Sequence, residues 1–270
     1  MTATVYVGDV RDALHKIEEG TIRAVVTSPP YFGLRVYSDD EREMGRGTFA
    51  EWVHDLVDTF ADITPLLTDD AVVWLNVGDA AAGSGGAGGD HNRGGSKTHL
   101  RKYRQGRVEL PDGSTLPGGQ WIDAPGRLLH ALQNDGWYCR SQIVWVKPIK
   151  PEAMSHTRRP GISHEMVYML TRTPNQYAFD GQDLAEKGNV WHIKPGGRVP
   201  GAKAPMPLAL AVRCLTAMGI TEGLVLDPFM GSGTTLEAAQ FVGLDGVGID
   251  LDEEAATTAA ARLNASIIRV

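Results

Sequence analysis

The stretch "LVLDPFMGSGTTLEAAQFVGLDGVGIDLD", Leu224–Asp252, decides how the chain folds. A short apolar run ends on Asp227 and is followed by a loop holding Gly231 and Gly233. A helical pattern opens near Thr234, and a second apolar run ends on Asp250. Strand, glycine loop, helix and strand make a nucleotide-type βαβ unit. In such a unit the glycines let the backbone approach a ligand, and the helix N-terminus points at it. The acid closing the second strand can accept hydrogen bonds from ribose hydroxyls. A bare GxG means little, but here it comes with the strand, the helix and the acid.

The same residues narrow the ligand. A phosphate-cradling loop needs a lysine after its last glycine, and Gly233 is followed by Thr234. A dinucleotide fingerprint needs a third glycine where this chain has Leu236. Asp227 would repel a pyrophosphate and suits a ligand carrying a positive amine. S-adenosylmethionine has an amino-acid head, a sulfonium and a ribose, and no phosphate.

Outward from this unit, short apolar runs read as strands at Thr4–Val7, Ile22–Thr27, Ala71–Val77, Ser141–Val146, Glu165–Leu170, Leu224–Asp227 and Gly246–Asp250. Several are continuous rather than alternating, as expected for a sheet covered on both faces. Helical patterns lie between them. Phe49, Trp52, Val53, Leu56, Phe60 and Ile63 share one face behind a candidate N-cap, Thr48. "PGRLLHALQNDGW", "MPLALAVRCLTAMGI" and "DEEAATTAAARLNASI" read as further helices. Alternation of strands and helices predicts a mostly parallel, doubly wound α/β sheet. At 270 residues with 42% apolar content, a single domain over 1–270 accommodates it. Trp74, Trp137, Trp145 and Trp191 are expected in the core.

No apolar run reaches membrane-spanning length, and charges interrupt "MTATVYVGDVRDAL" where a signal peptide would be apolar. Cys139 and Cys214 lack CxxC spacing, which suits a reduced, cytoplasmic setting. "HEMVY" lacks the second histidine of a zinc motif, so no metal site is expected. The net charge of −7 argues weakly against nucleic acid, unless positive charge is concentrated locally. It is concentrated in a Gly-rich segment, Gly83–Gly119, carrying Arg93, Lys97, Arg101, Lys102, Arg104 and Arg107. That segment reads either as a solvated insert or as a mobile basic arm that contacts DNA phosphates.

A second stretch, "AVVTSPPYFGL" at Ala24–Leu34, ends a strand with a hydroxyl, two prolines and an aromatic ring. The exocyclic amine of a nucleobase is a poor nucleophile because its lone pair is delocalised into the ring. Two acceptors aimed at its N–H bonds would favour the tetrahedral geometry needed to attack a methyl sulfonium. The Ser28 hydroxyl and the Pro29 carbonyl are the candidate acceptors. Pro30 stiffens the turn, and Tyr31 can stack on the base, which must leave the duplex to reach such a pocket. Asp79, in "NVGDA", is either a turn acid or a partner of Ser28.

Together, "TSPPY" (Thr27–Tyr31) and "LDPFMGSGTT" (Leu226–Thr235) resemble the catalytic and cofactor motifs of the beta-class amino-group DNA methyltransferases, and the resemblance covers nearly the whole chain. It implies a Rossmann-like class I methyltransferase fold with one antiparallel edge strand. The motif order is circularly permuted, with the catalytic motif before the cofactor loop. It implies S-adenosylmethionine held by Asp9, Thr27, Pro205, Asp227, Pro228, Phe229, Gly231, Ser232, Gly233, Thr234, Thr235 and Asp250. Asp9 would meet the cofactor adenine, and the segment around Pro205 would close over its methionine end. The implied substrate is double-stranded DNA, with a cognate restriction endonuclease as candidate partner. Residues 171–203 are the candidate target-recognition region. Members with serine at the Ser28 position resemble cytosine-N4 enzymes, whereas those with Asp or Asn mostly act on adenine N6. Two rival readings remain: a dinucleotide-dependent oxidoreductase, disfavoured by Leu236, and a non-catalytic nucleic-acid binder, disfavoured by two intact motifs.

Overall fold

The computed structural model describes residues 1–32, 40–82, 107–148, 160–181, 188–196 and 206–270. The strands are β1 (Ala3–Val7), β2 (Ile22–Thr27), β3 (Leu67–Val77), β4 (Arg107–Glu109), β5 (Thr115–Pro117), β6 (Tyr138–Val146), β7 (His164–Thr171), β8 (Val190–His192), β9 (Leu224–Asp227), β10 (Asp245–Asp250) and β11 (Ser266–Arg269). The α-helices are α1 (Val10–Leu14), α2 (Phe49–Ile63), α3 (Ala124–Asn134), α4 (Leu208–Thr216), α5 (Thr234–Phe241) and α6 (Glu253–Leu263). Nine strands form one sheet in the order β11-β1-β10-β9-β2-β3-β7-β6-β8. β10–β9, β9–β2 and β2–β3 pair in parallel, whereas β7 is antiparallel to both β3 and β6.

The continuous apolar runs of β2 and β3 follow from burial on both faces. Val25, Val73 and Leu75 pack with Leu56 and Phe60 of α2, while Ala24, Val26, Val72 and Trp74 pack with Leu210 and Cys214 of α4 and with Ala238 and Ala239 of α5. Burying each large side chain contributes roughly 1.5–3 kcal/mol, so the central strands hold the two helical layers together. Trp74, Trp137, Trp145 and Trp191 are all buried. α2 begins behind Thr48, as the cap pattern predicts: the Thr48 hydroxyl accepts from the Glu51 N–H at 3.1 Å, and the Glu51 carboxylate accepts from the Thr48 N–H at 2.6 Å. This reciprocal pair fixes the helix start.

Three expectations are corrected. The antiparallel strand is not the sheet edge: β7 lies inside, because β6 pairs with it and β8 adds in parallel beyond β6. The last helix does not run on to Ile267. It stops at Leu263, where Asn264 takes the left-handed conformation (φ 51°), and Ser266–Arg269 becomes an edge strand beside β1. Asparagine tolerates this backbone better than most residues, which ends the helix. The Gly-rich insert is not all loop, because β4 and β5 pair as an antiparallel hairpin. Val108 and Leu110 supply the apolar anchors that bury it against the core of the α2 layer. The rest of the insert, residues 83–106, lies outside the described residues. Among the described residues, no helix is long and apolar enough to cross a membrane.

Candidate active site

The carboxyl ends of β1, β2, β3, β9 and β10 open on one cavity of about 430 Å³. This is where an open α/β sheet places its ligand crevice, since the loops there diverge on leaving the sheet. Its wall includes Asp9, Ser28, Pro30, Tyr31, Asn76, Asp227, Pro228, Phe229, Gly231, Ser232, Thr234, Thr235 and Asp250. The structure therefore brings the two motifs together from opposite ends of the chain.

Asp227 joins them. Its Oδ1 accepts from the Thr27 hydroxyl at 2.7 Å and from the Phe229 N–H at 3.1 Å. The Thr235 hydroxyl has one proton to give; it lies 2.7 Å from Asp227 Oδ2 and 3.0 Å from the Val26 carbonyl. Thr27 and Thr235 are fully buried, so both belong to the frame beneath the cavity more than to its surface. Burial pushes the Asp227 carboxyl up to about 6 against the pull of the Thr235, Thr27 and Phe229 hydrogen bonds.

Asp250 closes β10. Its Oδ2 accepts from the Gly231 N–H at 2.7 Å and its Oδ1 from the Asp252 N–H at 2.8 Å, which ties the glycine loop to the second strand. Burial pushes this carboxyl up to about 6 as well, with the Asp252 and Gly231 amides opposing. Gly231 and Gly233 have φ of 49° and 77°, backbone that disfavours other residues. At Gly233 an added Cβ would also stand 2.9 Å from Leu263 Cδ1.

Asp9 caps α1, and its carboxylate takes a two-pronged ion pair from Arg11, Nε to Oδ1 at 2.8 Å and Nη2 to Oδ2 at 2.6 Å. Burial would raise this acid, but the Arg11 hydrogen bonds outweigh it and hold it below the ordinary carboxylate value. Among the described residues no group of His, Cys, Asp and Glu could hold a metal ion.

The candidate catalytic loop, Ser28–Tyr31, is held from several sides. The Trp52 indole N–H of α2 donates to the Pro30 carbonyl at 2.8 Å. Pro29 is buried beneath the loop and is not part of the cavity wall, in contrast to the expectation of an acceptor there. Ser28 Oγ donates to the Tyr31 hydroxyl at 3.0 Å, and that hydroxyl lies 2.9 Å from Glu165 Oε2 and 3.0 Å from Asn76 Oδ1. The Tyr31 ring lies so close to Gly78 that a Cβ there would come within 2.6 Å of it.

Asp79 is corrected. Its carboxylate accepts from the Ala80 N–H at 2.8 Å and the Ala124 N–H at 3.0 Å, so it anchors the start of α3 and does not reach Ser28. A carboxylate that does reach Tyr31 is Glu165, whose second oxygen pairs with Lys147. Asn76, Lys147 and Glu165 carry no motif that singles them out in the sequence. They stand on three different strands or strand ends, and only the order β3-β7-β6 brings them together. Pro205, Arg93, Lys97, Arg101, Lys102 and Arg104 lie outside the described residues, as do 182–187 and 197–203 of the candidate recognition region. Arg107 is described and is exposed at the start of the hairpin.

A nucleotide-type unit with acids, no cationic phosphate clamp in its glycine loop, and a hydroxyl-bearing aromatic loop across the cavity define the class: an enzyme that uses S-adenosylmethionine. The comparisons sharpen this. Residues 22–261 match the model of the N6/N4 methylase family, described as DNA methylase. The chain is 35% identical over 271 residues to the Type II methyltransferase M.SmaI of Serratia marcescens, covering 96% of this chain and 90% of that one. It is 36% identical over 280 residues to the Type II methyltransferase M.XycI of Xanthomonas campestris pv. cyanopsidis, covering 99% and 91%. Among solved structures, it resembles TTHA0409 of Thermus thermophilus in complex with S-adenosyl-L-methionine, with TM-score 0.67, 22% identity, and 99% and 98% of the two chains covered. It also resembles the PvuII DNA methyltransferase (cytosine-N4-specific), with TM-score 0.70, 18% identity, and 97% and 86% covered. These two likenesses concern the fold.

The chain belongs to the N6/N4 DNA methylase family. It is an S-adenosylmethionine-dependent, site-specific DNA amino-methyltransferase of the Type II kind.

Proposed function

We propose that the enzyme methylates the N4 amine of a cytosine swung out of double-stranded DNA. Ser28 carries this reading. Ser28 lines the cavity and its Oγ gives its own proton to Tyr31, which leaves its lone pairs for an incoming amine. A neutral hydroxyl at this position is also what cytosine-type members of the family resemble. The cofactor supplies, when bound, a methyl group on a sulfonium. Ser28 draws on an N–H of the target amine and favours its tetrahedral form, and Tyr31 offers a ring to the base. A second acceptor, the Pro29 carbonyl, would have to turn toward the cavity when the base enters. Basic residues from Arg93 to Arg107 are the proposed phosphate contacts.

The test is direct. DNA from a host expressing the protein, digested to nucleosides and read by mass spectrometry, should contain N4-methylcytosine. N6-methyladenine as the sole new nucleoside would overturn the cytosine assignment.

Within this reading Asp227 and Asp250 face the cofactor, Asp227 toward its ammonium and Asp250 toward its ribose hydroxyls. Both partners favour ionised carboxylates, so affinity should fall as pH drops through about 6. The sign is opposite for the protein alone. An acid raised above its unfolded value stabilises the fold at low pH and loses that contribution as pH rises through about 6. Calorimetry at pH 8 and pH 5 should show affinity roughly tenfold weaker at pH 5 for each acid that must ionise. Equal affinity at both would remove these acids from the binding step.

A further inference from the structure

We infer that Glu165 is a positioning residue that fixes the direction of the Ser28 hydroxyl, acting through Tyr31. Glu165, at the start of β7, gathers three donors on one carboxylate: the Tyr31 hydroxyl at 2.9 Å, the Asn76 side-chain amide at 3.1 Å and the Lys147 ammonium. Asn76 is itself locked, because its Nδ2 also faces the Met166 carbonyl at 3.2 Å and its residue is buried. Its Oδ1 therefore faces Tyr31.

The proton count then decides the polarity. The Tyr31 hydroxyl has one hydrogen, and both Glu165 Oε2 and Asn76 Oδ1 are acceptors, so that hydrogen points toward them, away from Ser28. A carboxylate is the stronger of the two acceptors. Toward Ser28 the tyrosine oxygen can only accept. Ser28 Oγ–H must donate to it, and only lone pairs remain for the cavity. An amine offers two N–H donors and meets an acceptor that cannot reverse itself. Without Glu165 only the neutral Asn76 Oδ1, a weaker acceptor, would hold the Tyr31 proton, so the hydroxyl would turn more readily to donate to Ser28, whose proton would then point at the incoming amine and repel it. Lys147 keeps Glu165 in place from the other side, over the Trp145 ring at 4.5 Å.

The inference rests on Ser28 as the amine acceptor and applies to a cytosine or an adenine target alike. The test is a double-mutant cycle on the full chain with S-adenosylmethionine and DNA, using Glu165→Gln and Tyr31→Phe. A glutamine can present either an oxygen or an amide to Tyr31, so the polarity is no longer fixed. Glu165→Gln should lower kcat roughly tenfold or more, the cost of losing a charge-assisted hydrogen bond, with KM for DNA and cofactor affinity unchanged. Tyr31→Phe should lower kcat by at least as much. In the Tyr31→Phe background, Glu165→Gln should cost nothing further, because the hydroxyl that links Glu165 to Ser28 has gone. A residue with a merely structural role would lower thermal stability and cofactor affinity in both backgrounds. Equal losses in both backgrounds, or no kcat loss from Glu165→Gln alone, would overturn the inference. If Glu165→Gln does not fold, Tyr31→Phe decides alone: unchanged kcat there overturns it. Should Ser28→Ala itself leave kcat intact, the reading of Ser28 as acceptor fails first, which separates the two failures.

Discussion

Ser28→Ala is expected to lower turnover by about two orders of magnitude, the typical cost of removing one pre-organised hydrogen-bonding group from a reacting centre. The effect should fall on kcat, because the acceptor matters most once the amine has become tetrahedral. Cofactor affinity should not change, since the Ser28 hydroxyl is hydrogen-bonded to Tyr31 of its own loop and not to the glycine loop. The fold should hold, because the frame beneath the loop is made by Thr27, Asp227 and Thr235, all of which remain. Single-turnover methyl transfer with DNA in excess would check this. A rate within about twofold of the parent would mean that Ser28 is not the acceptor.

Asp250→Ala is expected to be the largest effect on binding. The substitution removes the proposed partner of the ribose hydroxyls and also the acceptor that holds the Gly231 N–H at 2.7 Å and the Asp252 N–H at 2.8 Å. Both losses act on the same loop. A hydrogen bond to a charged group contributes about 1.5–3 kcal/mol, so affinity for S-adenosylmethionine should fall by roughly tenfold to a hundredfold or more. Asp250→Asn keeps an acceptor oxygen and should recover part of this. Calorimetry on the parent and both variants would check it, and unchanged affinity in Asp250→Ala would take Asp250 out of the site.

The central strands and both functional loops were legible because their signals are local. A continuous apolar run in β2 or β3 already encodes a strand buried on two faces, and an acid ending β9 followed by Gly231 and Gly233 already encodes a candidate ligand loop. What the sequence hid depends on the order of strands in space. Glu165 sits in "HEMVYMLTR", where it resembles any polar residue at a strand start; β7 must lie beside β3 before it reaches Tyr31. Asp79 is open to two readings for the same reason, since an acid after a strand can be a turn acid or a partner of Ser28, and only the position of Ala124 beside it shows which backbone it holds. The hairpin of β4 and β5 was obscured by the glycines around it, although Val108 and Leu110 were the signal. At the C-terminus the alanine-rich pattern of α6 masked Asn264, the residue whose left-handed backbone ends the helix.

One measurement bears on the whole account. Purified protein incubated with unmodified duplex DNA and S-adenosylmethionine carrying a deuterated methyl group should place the label on cytosine N4, read by mass spectrometry of the digested nucleosides. Ser28→Ala, run beside it, should leave the product the same and only slow its formation. Label confined to adenine N6 would contradict the choice of target, and no label in DNA with a cofactor that still binds would contradict the chemistry proposed for the cavity.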